Sequence, residues 1–305
     1  MALPSAIPLG SCISGIPITL HYSFFLLLLV EFVYALRYTT TTPSYPIFTL
    51  FVVILYGPVL LFTILVHEFG HALTTKKLGG SVGGIVLWPL GGFALCGPTE
   101  ALSGDLKVAL MGPLMHIPMG FVWWIIYAGI AGSTHGYWPT MTIYLDVLSN
   151  SAAGFIEILS AQALYLNILL LCFNLFLPAY PLDGGRIYAS TLILLFKLPP
   201  IKAAKVTAIT AMLLSAGMIL YSIISIFADS SGSELLLGIV GIFVFFQSHE
   251  LWVSARTGAL GNHPIFGREC YRTTTTTGGS SSGNNEGGDE QDTAVPAQSD
   301  EAAMA

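Results

Sequence analysis

The sequence predicts an all-α polytopic membrane protein with about six transmembrane helices and a short β-segment between the second and third helices. Composition is the first observation behind this class: 54% of the 305 residues are hydrophobic and only 9% are charged, whereas soluble domains carry about 25% charged residues. Pattern is the second, because apolar residues gather in runs such as Ile47–Val66, whose 20 uncharged residues can cross a bilayer. We therefore expect a multi-pass integral protein embedded in lipid.

Charge and cysteine patterns argue against other classes. No basic stripe marks a nucleic-acid partner, and the net charge of −6 reflects acidic residues gathered near the C-terminus. The four cysteines show no C-x-x-C spacing, so neither a disulfide framework nor a thiolate zinc site is expected. The first 20 residues contain no Lys or Arg, and no cleavable signal peptide is expected.

The N-terminal part is expected to hold a loop and two helices. Residues Met1–Leu20 are rich in Pro, Gly and Ser, which favours a loop or an interfacial arm. A short apolar run follows and predicts the first helix over about His21–Leu36. The second helix is expected over about Ile47–Thr75, where Pro58 is a candidate kink and Lys76-Lys77 mark the exit from the membrane.

Residues Gly79–Pro98 break the helical pattern. This stretch combines seven glycines with β-branched and aromatic residues. It predicts one or two short strands around Ile85–Leu87 and Phe93–Cys96, with a bend between them. A hydrophobic strand edge beside a membrane-embedded site is suited to binding an extended peptide.

The third and fourth helices are expected over about Leu106–Ile130 and Leu159–Leu177. The fourth helix keeps isolated polar residues within its apolar run, and two of them, Asn167 and Asn174, are seven residues apart and so share a face.

A turn and three further helical pieces follow. Two prolines stop the fourth helix, and two glycines after Asp183 allow a tight turn that aims its carboxylate. The weaker apolar run Ile187–Leu198 ends at consecutive prolines and predicts a half-helix at the membrane interface. The fifth and sixth helices are expected over about Val206–Ala228 and Leu235–Val253.

Two regions are expected in the chain as a whole. Residues 1–256 form the membrane-embedded domain, with a core over 47–186. Residues 257–305 are dominated by Thr, Gly, Ser and acidic side chains, a composition that cannot bury a core, and they are expected to form a disordered cytoplasmic tail.

Basic residues predict the orientation in the membrane. They flank the β-segment, the end of the fourth helix and the end of the sixth, whereas the loops 133–157 and 229–234 have none. Arg37 is the one exception. The consistent solution places both termini and the residues His67, His71 and Asp183 on the cytoplasmic side.

The end of the second helix carries the pattern H-E-x-x-H. Because positions i and i+4 share a face of a helix, His67 and His71 can direct two imidazoles at one metal ion. Glu68 lies about 100° around the helix, where it can hold a water molecule instead of the metal. Ionisable groups inside a membrane segment mark function by default, so a chance occurrence is the weaker explanation.

A zinc site of the hydrolytic kind needs a third protein ligand, with the fourth position left open. Asp183 follows another membrane helix at the same depth and fits this role. His116, within the third helix, is the alternative ligand, although such a histidine is more often a hydrogen-bonded core residue.

Taken together, these motifs resemble the site-2 protease family of intramembrane zinc metalloproteases. The resemblance rests on His67-Glu68-Phe69-Gly70-His71 and on Pro181-Leu182-Asp183-Gly184-Gly185-Arg186, with looser matches at Gly91-Gly92-Phe93 and Gly112-Pro113. It covers roughly Ile47–Arg186. Two features depart from the family pattern: Asn174 lies nine residues before Asp183, one more than usual, and His116 takes the place of an asparagine.

The resemblance implies a function and a set of roles. The chain is expected to cleave a transmembrane segment of a membrane-anchored protein in regulated intramembrane proteolysis. One Zn²⁺ per chain would be bound by His67, His71 and Asp183, with Glu68 as the catalytic base. The residues expected to bind substrate are Asn174, Gly91, Gly92 and Phe93.

Two other classes of protein remain open at this point. A membrane metal transporter also places His and Asp in membrane helices, but its ligands would lie along a crossing path and not at one level. A catalytically inactive family member acting as a binding scaffold would keep the fold and lose Glu68 or a ligand, and all four residues are present here.

Overall fold

The computed structural model describes residues 6–11, 13–39, 45–89, 91–99, 102–132, 136–139, 143, 147–148, 151–227, 234–263 and 265–267. Within these residues the chain folds into helices and one small sheet. The elements, in chain order, are β1 (Ala6–Ser11), β2 (Pro17–His21), α1 (Ser23–Thr39), α2 (Tyr45–Ile54), a π-helical segment (Leu55–Val59), α3 (Leu60–Lys77), β3 (Val82–Trp88), β4 (Gly91–Cys96), α4 (Leu102–Leu114), α5 (His116–Ala131), α6 (Ala152–Phe176), α7 (Asp183–Leu194), α8 (Pro200–Phe227) and α9 (Glu234–Thr257).

Five helical stretches of the described chain are long and apolar enough to cross a membrane. Their outer faces carry large apolar side chains, such as Phe62 (58% exposed) and Leu213 (70% exposed), which suit contact with lipid. The shorter apolar helix α1 brings the number to the expected six, and the mostly helical, multi-pass membrane fold is confirmed. The five stretches are Ile47–Lys77, Ser103–Ala131, Ala152–Phe176, Pro200–Phe227 and Leu237–Thr257.

Pro58 lies inside the second span without ending it. The helix changes there to a π-helical segment, in which the Leu60 N–H reaches the Leu55 carbonyl five residues back. Proline has no N–H and its ring crowds the preceding turn, so a local widening of the helix allows α2 to continue into α3. The expected irregularity at Pro58 is present, and the span ends at Lys77 as its two lysines indicated.

Met1–Leu20 was expected to form a loop or an interfacial arm, and the loop is wrong for residues 6–11 and 17–20, which are strands. Residues 6–11 and 17–21 form two strands, and β2 pairs in parallel with β3 to complete a four-stranded sheet in the order β1-β2-β3-β4. Alternate residues of β2 and its approach are buried, which is the period of a half-buried strand. These residues are Ile16, Ile18 and Leu20. The two strands expected between the second and third helices are confirmed, with longer bounds.

The sheet packs against the helix that carries the two motif histidines. Its buried side chains form one apolar cluster with α1 and α3, in which Ile18 and Ile85 of the sheet lie with Ile64 and Phe69 of α3. This packing fixes β4, the last strand in the sheet, along the side of α3 where Glu68 projects.

The third span is interrupted where one continuous helix was expected. α4 ends at Leu114 and α5 begins at His116, with the Met115 N–H bonded to the Gly112 carbonyl only three residues back. Pro118 lacks the N–H that would bond the Leu114 carbonyl, so the helix cannot run regularly through this turn. The tightened turn lies beside the motif histidines.

Two helices begin earlier than expected, each for a local reason. α6 starts at Ala152 and not near Leu159, because the Ser151 Oγ accepts a hydrogen bond of 3.0 Å from the Gly154 N–H and caps the helix. α8 starts at Pro200, and proline suits the first position of a helix, where its missing N–H costs nothing.

Packed structure continues past residue 257, where the boundary between domain and tail was predicted. Residues 259–262 form a 3₁₀ helix, and the apolar side chains at 260, 265 and 266 are buried against α7, α8 and α9. His263 accepts backbone N–H bonds at its Nδ1 from two following residues, so its Nε2 carries the proton and donates to the Tyr180 hydroxyl at 3.2 Å. Burial lowers the pKa of His263 to about 4, which keeps it neutral. Residues 268–305 lie outside the described residues.

This segment leads to a prediction about truncation. A chain ending after Gly267 should keep the thermal stability and zinc content of the full-length protein, whereas one ending after Thr257 should lose stability. The shorter chain loses three buried apolar side chains, each stabilising by about 1.5–3 kcal/mol, and Tyr180 loses its partner three residues before Asp183. Thermal unfolding and zinc content in detergent would be compared for both. Equal melting temperatures would show that the segment adds nothing.

Candidate metal centre

Three buried side chains from two helices converge on one point. His67 and His71 lie one turn apart on α3, and Asp183 is the first residue of α7. The Asp183 Oδ2 atom lies 2.9 Å from His67 Nε2 and 3.0 Å from His71 Nε2, and the two Nε2 atoms are 3.1 Å apart. Among the residues that the structure describes, this is the group of His, Cys, Asp and Glu side chains with a spacing suited to a metal ion.

The start of α7 places Asp183 at the centre. The sequence predicted a turn followed by a half-helix over Ile187–Leu198, but the helix begins at Asp183 itself and ends at Leu194. The glycines that follow Asp183 permit close packing: a Cβ on Gly185 would lie 2.6 Å from the Ala179 carbonyl carbon. A carboxylate in the first turn of a helix is stabilised by the helix dipole, so the position also favours the charge.

The charge state of Asp183 follows from its neighbours. Burial alone raises the pKa of this carboxyl, whereas positive charge at the imidazoles of His71 and His67 holds the pKa well below its usual range. The side chain is therefore a carboxylate at neutral pH. Its second oxygen, Oδ1, lies 3.5 Å from Nη1 of Arg186, a partly exposed side chain one turn further along α7.

The hydrogen bond of His71 decides where its lone pair points. Its Nδ1 lies 2.7 Å from the Val108 carbonyl oxygen, which can only accept, so Nδ1 carries the proton and donates. Nε2 then holds a lone pair that faces the Asp183 carboxylate. In a neutral ring this places two electron-rich atoms 3.0 Å apart in a buried site, where they repel one another unless a proton or a metal cation lies between them.

Zinc satisfies this donor set. Zn²⁺ prefers His nitrogen and carboxylate oxygen at about 2.0–2.2 Å in a tetrahedral arrangement, which separates ligand atoms by about 3.3–3.6 Å. The three separations here are 2.9, 3.0 and 3.1 Å. A third protein ligand completes the usual set of a hydrolytic zinc site, in which the fourth position is open.

Glu68 stands beside this group and outside it. The side chain is buried, and its Oε2 accepts a hydrogen bond of 2.8 Å from the Ala94 N–H of β4. It also packs against Gly92, where a Cβ would come within 2.6 Å of Oε1. The backbone of β4 thus holds the carboxylate in place next to the two histidines.

Gly112 of α4 has no side chain, which leaves space for the imidazoles of the centre. A Cβ built on Gly112 would overlap His71 Nε2 and lie 2.8 Å from His67 Nε2, the two atoms that face Asp183. Gly70 of α3 allows the same close approach from the other side, since a Cβ there would lie 2.6 Å from the Met111 carbonyl oxygen.

Gly112→Ala is therefore expected to weaken metal binding strongly, because the new methyl group would push both Nε2 atoms off their positions. Substitutions of residues that only hydrogen-bond a metal ligand typically weaken metal binding by roughly 10–100-fold, and the loss of zinc affinity in Gly112→Ala should be larger. Gly129→Ala, in the neighbouring helix α5, is the matched control, since a Cβ there meets no other atom within 4 Å. Wild-type zinc affinity in the Gly112 variant would contradict this account of the centre.

The residues expected to bind substrate have different surroundings in the structure. Asn174 donates its side-chain amide to the Leu170 carbonyl one turn back, at 3.1 Å. Gly91 adopts a positive φ of 141° with open space around it, and Phe93 is 61% exposed. Gly92 packs against the side chain of Glu68.

Two other residues adjoin the centre: His116 contacts His67, and Asn167 contacts His116. His116 was considered as a third ligand, but it lies behind His67, with its Nε2 3.0 Å from His67 Nδ1. Asn167 in turn lies 3.1 Å from the other ring nitrogen of His116. The signal for both was a polar side chain inside an apolar helix, which by default marks function.

The buried His-His-Asp group, with a glutamate held beside it in an apolar helix, defines a membrane-embedded site of the metallopeptidase type. A family model described as Peptidase family M50 matches residues 55–219, more than half of the chain. The chain belongs to this family of metallopeptidases.

The names of two similar proteins agree with the family. The chain is 30% identical over 238 residues to Zinc metalloprotease MJ0392 of Methanocaldococcus jannaschii, covering 78% of this chain and 58% of that protein. It is 30% identical over 185 residues to Rip3 of Mycobacterium tuberculosis, named provisionally as a zinc metalloprotease, covering 60% of this chain and 42% of that protein. The chain thus spans less than two thirds of the length of each relative.

Proposed function

We propose that this protein is an intramembrane zinc metalloprotease that cleaves a membrane-spanning segment of another protein. The observation that carries the proposal is the contact of Asp183 Oδ2 with both histidine Nε2 atoms, next to Glu68 and at the end of a membrane span. The names of the two relatives support zinc and proteolysis as the chemistry. Cleavage within a membrane is the basis of regulated intramembrane proteolysis, which we propose as the setting.

The chemistry divides between the ligands and Glu68. His67, His71 and Asp183 would hold Zn²⁺, which supplies Lewis acidity toward the scissile carbonyl. Glu68 takes a proton from the attacking water and later delivers it to the leaving amine. Its hydrogen bond from the Ala94 N–H keeps one carboxylate oxygen occupied and leaves the other, Oε1, for this proton transfer.

The free edge of β4 is the surface that we propose for the substrate. Ala94 pairs with Ile85 across the sheet, and the Ala94 N–H points away from Ile85 to Glu68. Because backbone groups alternate sides along a strand, Gly92 and Cys96 also turn their N–H and C=O groups to this edge. A substrate helix hides its carbonyls in its own hydrogen bonds, so it must unwind, and an edge strand can hold it extended.

Phe93 offers a test of this surface, because its side chain is 61% exposed on β4. A photo-cross-linking amino acid at position 93 should capture a bound substrate protein in an otherwise inactive Glu68→Gln chain. The same group at Leu213 of α8, which is 70% exposed, is the control and should capture lipid or nothing. Equal capture at both positions would show that β4 does not bind the substrate.

The register of the sheet determines what proline substitutions in β4 would test. Proline at position 93 or 95 would remove an N–H that faces β3, since these residues alternate with Ala94. Such substitutions test the sheet and not substrate binding. Gly92 and Cys96 are the positions whose N–H groups a substrate could use.

We further propose that the centre and both termini lie on the cytoplasmic side. Lys76 and Lys77 end α3 one turn beyond His71, and Lys107 is exposed near the start of the third span. Cytoplasmic membrane boundaries are rich in such residues. To test this, a single cysteine would replace Gly136 or Lys107 in a chain without its native cysteines. A membrane-impermeant maleimide added to intact cells should label the cysteine at position 136 and not the one at position 107. The opposite labelling would show that the protein has the reverse orientation.

A reconstituted assay tests the function itself. The purified protein, with its zinc content measured, would be incubated in liposomes with a panel of single-span proteins, with and without a zinc chelator. Cleavage of at least one panel member that chelation abolishes is the expected result. Zinc flux across the liposome membrane without cleavage would favour a transporter, and binding of a panel member without cleavage would favour a scaffold.

A further inference from the structure

A chain of three buried hydrogen bonds extends from the metal centre into α6. His67 Nδ1 lies 3.0 Å from His116 Nε2, and His116 Nδ1 lies 3.1 Å from the Asn167 Oδ1. The Asn167 Nδ2 donates to the Ala163 carbonyl at 2.8 Å. His116 is 2% exposed and Asn167 is 1% exposed, so water does not compete for these bonds.

The donor and the acceptor of each hydrogen bond can be assigned by starting from Asn167. Since the Asn167 amide nitrogen donates to a backbone carbonyl, the oxygen that faces His116 can only accept. His116 Nδ1 must then carry the proton, and its Nε2 must accept. His67 Nδ1 therefore donates, and His67 Nε2 is left with the lone pair that faces Asp183.

We propose that His116 and Asn167 are positioning residues that hold His67 in its metal-binding tautomer. The inference rests on the zinc site of the proposed function and not on proteolysis itself. His116 uses its Nε2 lone pair to accept from His67, on the far side of that ring from Asp183, so it cannot serve as the third ligand at the same time.

The two histidine ligands are held in different ways. His71 donates to the backbone carbonyl of Val108, a partner that no side-chain substitution removes. His67 depends on two side chains in series. Without Asn167, His116 can place its proton on Nε2 instead, which reverses the bond and moves the proton of His67 to the nitrogen that faces the metal.

The test compares zinc affinity, measured by competition with a chelator, among variants at positions 116 and 167. His116→Met keeps the size of the side chain and removes the acceptor, and Asn167→Leu does the same one bond further away. Each should weaken zinc binding by about 10–100-fold, the usual cost of losing an outer-shell partner. His116→Gln places an acceptor oxygen near the former Nε2 and should restore most of the affinity.

Two further comparisons make the test specific to positioning. The double variant His116→Met/Asn167→Leu should bind zinc about as tightly as His116→Met alone, because both substitutions break one chain. Ser160→Ala is the control on α6, one heptad before Asn167: Ser160 is equally buried but donates locally to the Glu157 carbonyl. Its zinc affinity should match the wild type.

The outcomes decide the proposal independently of catalysis. Wild-type affinity in His116→Met, or an equal loss in His116→Gln and His116→Met, would overturn it, the second result meaning that His116 only packs. Should His116→Met fail to fold, as judged by thermal unfolding without metal, Asn167→Leu alone decides: unchanged affinity overturns the proposal. A protein that follows the expected zinc pattern but cleaves nothing would leave positioning intact and refute the protease.

Discussion

Asp183→Ala is expected to leave the purified protein with little or no zinc, whereas the wild type holds one ion per chain. In the proposed zinc site Asp183 is the anionic ligand, and both histidines converge on it, at 2.9 and 3.0 Å. Without it, two neutral imidazoles remain, and a zinc site of this kind needs three protein ligands. Metal content after passage over a chelating resin measures the effect.

Asp183→Asn and Glu250→Ala sharpen this experiment. The amide keeps the size of Asp183 and one neutral oxygen, so it should bind zinc more weakly than the wild type and better than alanine. Glu250 is an exposed carboxylate on α9, and its removal should change nothing. If Asp183→Ala keeps a full complement of zinc while His116→Ala has none, the third ligand is His116 and the geometry of the centre has been misassigned.

The elements that could be predicted from sequence are those whose signal is local. The second span shows itself in an apolar run, and its two histidines share a face by helix geometry alone. β3 and β4 are neighbours in the chain and form an antiparallel pair, so composition and a turn suffice to find them. Asp183 could be placed near the histidines because both lie at the same end of membrane helices.

The features that could not be predicted depend on contacts between distant residues. β2 is a strand because it pairs in parallel with β3, more than 60 residues away, as in the pair Ile18 and Ile85. Phe266 is ordered by packing on α7, α8 and α9, which the composition of its own segment does not reveal. The link between His116 and Asn167 likewise exists only once α5 lies against α6.

Glu68→Gln is expected to stop proteolysis while the protein stays folded and keeps its zinc. Glu68 follows His67 by one residue, and its carboxylate bonds the Ala94 N–H and lies outside the group that converges on Asp183. Glutamine has the same size and can keep that bond through its oxygen. It cannot accept a proton at neutral pH, and a general base contributes about 10²–10⁴-fold to the rate.

The same substitution separates the protease from the two rival classes. A transporter or a binding scaffold has no use for a general base, so its flux or binding should be nearly unchanged in Glu68→Gln. The measurement is the zinc content and the cleavage rate of wild type and variant, side by side, on one accepted substrate. Equal rates would refute the proteolytic mechanism. Loss of zinc would instead identify Glu68 as a metal ligand.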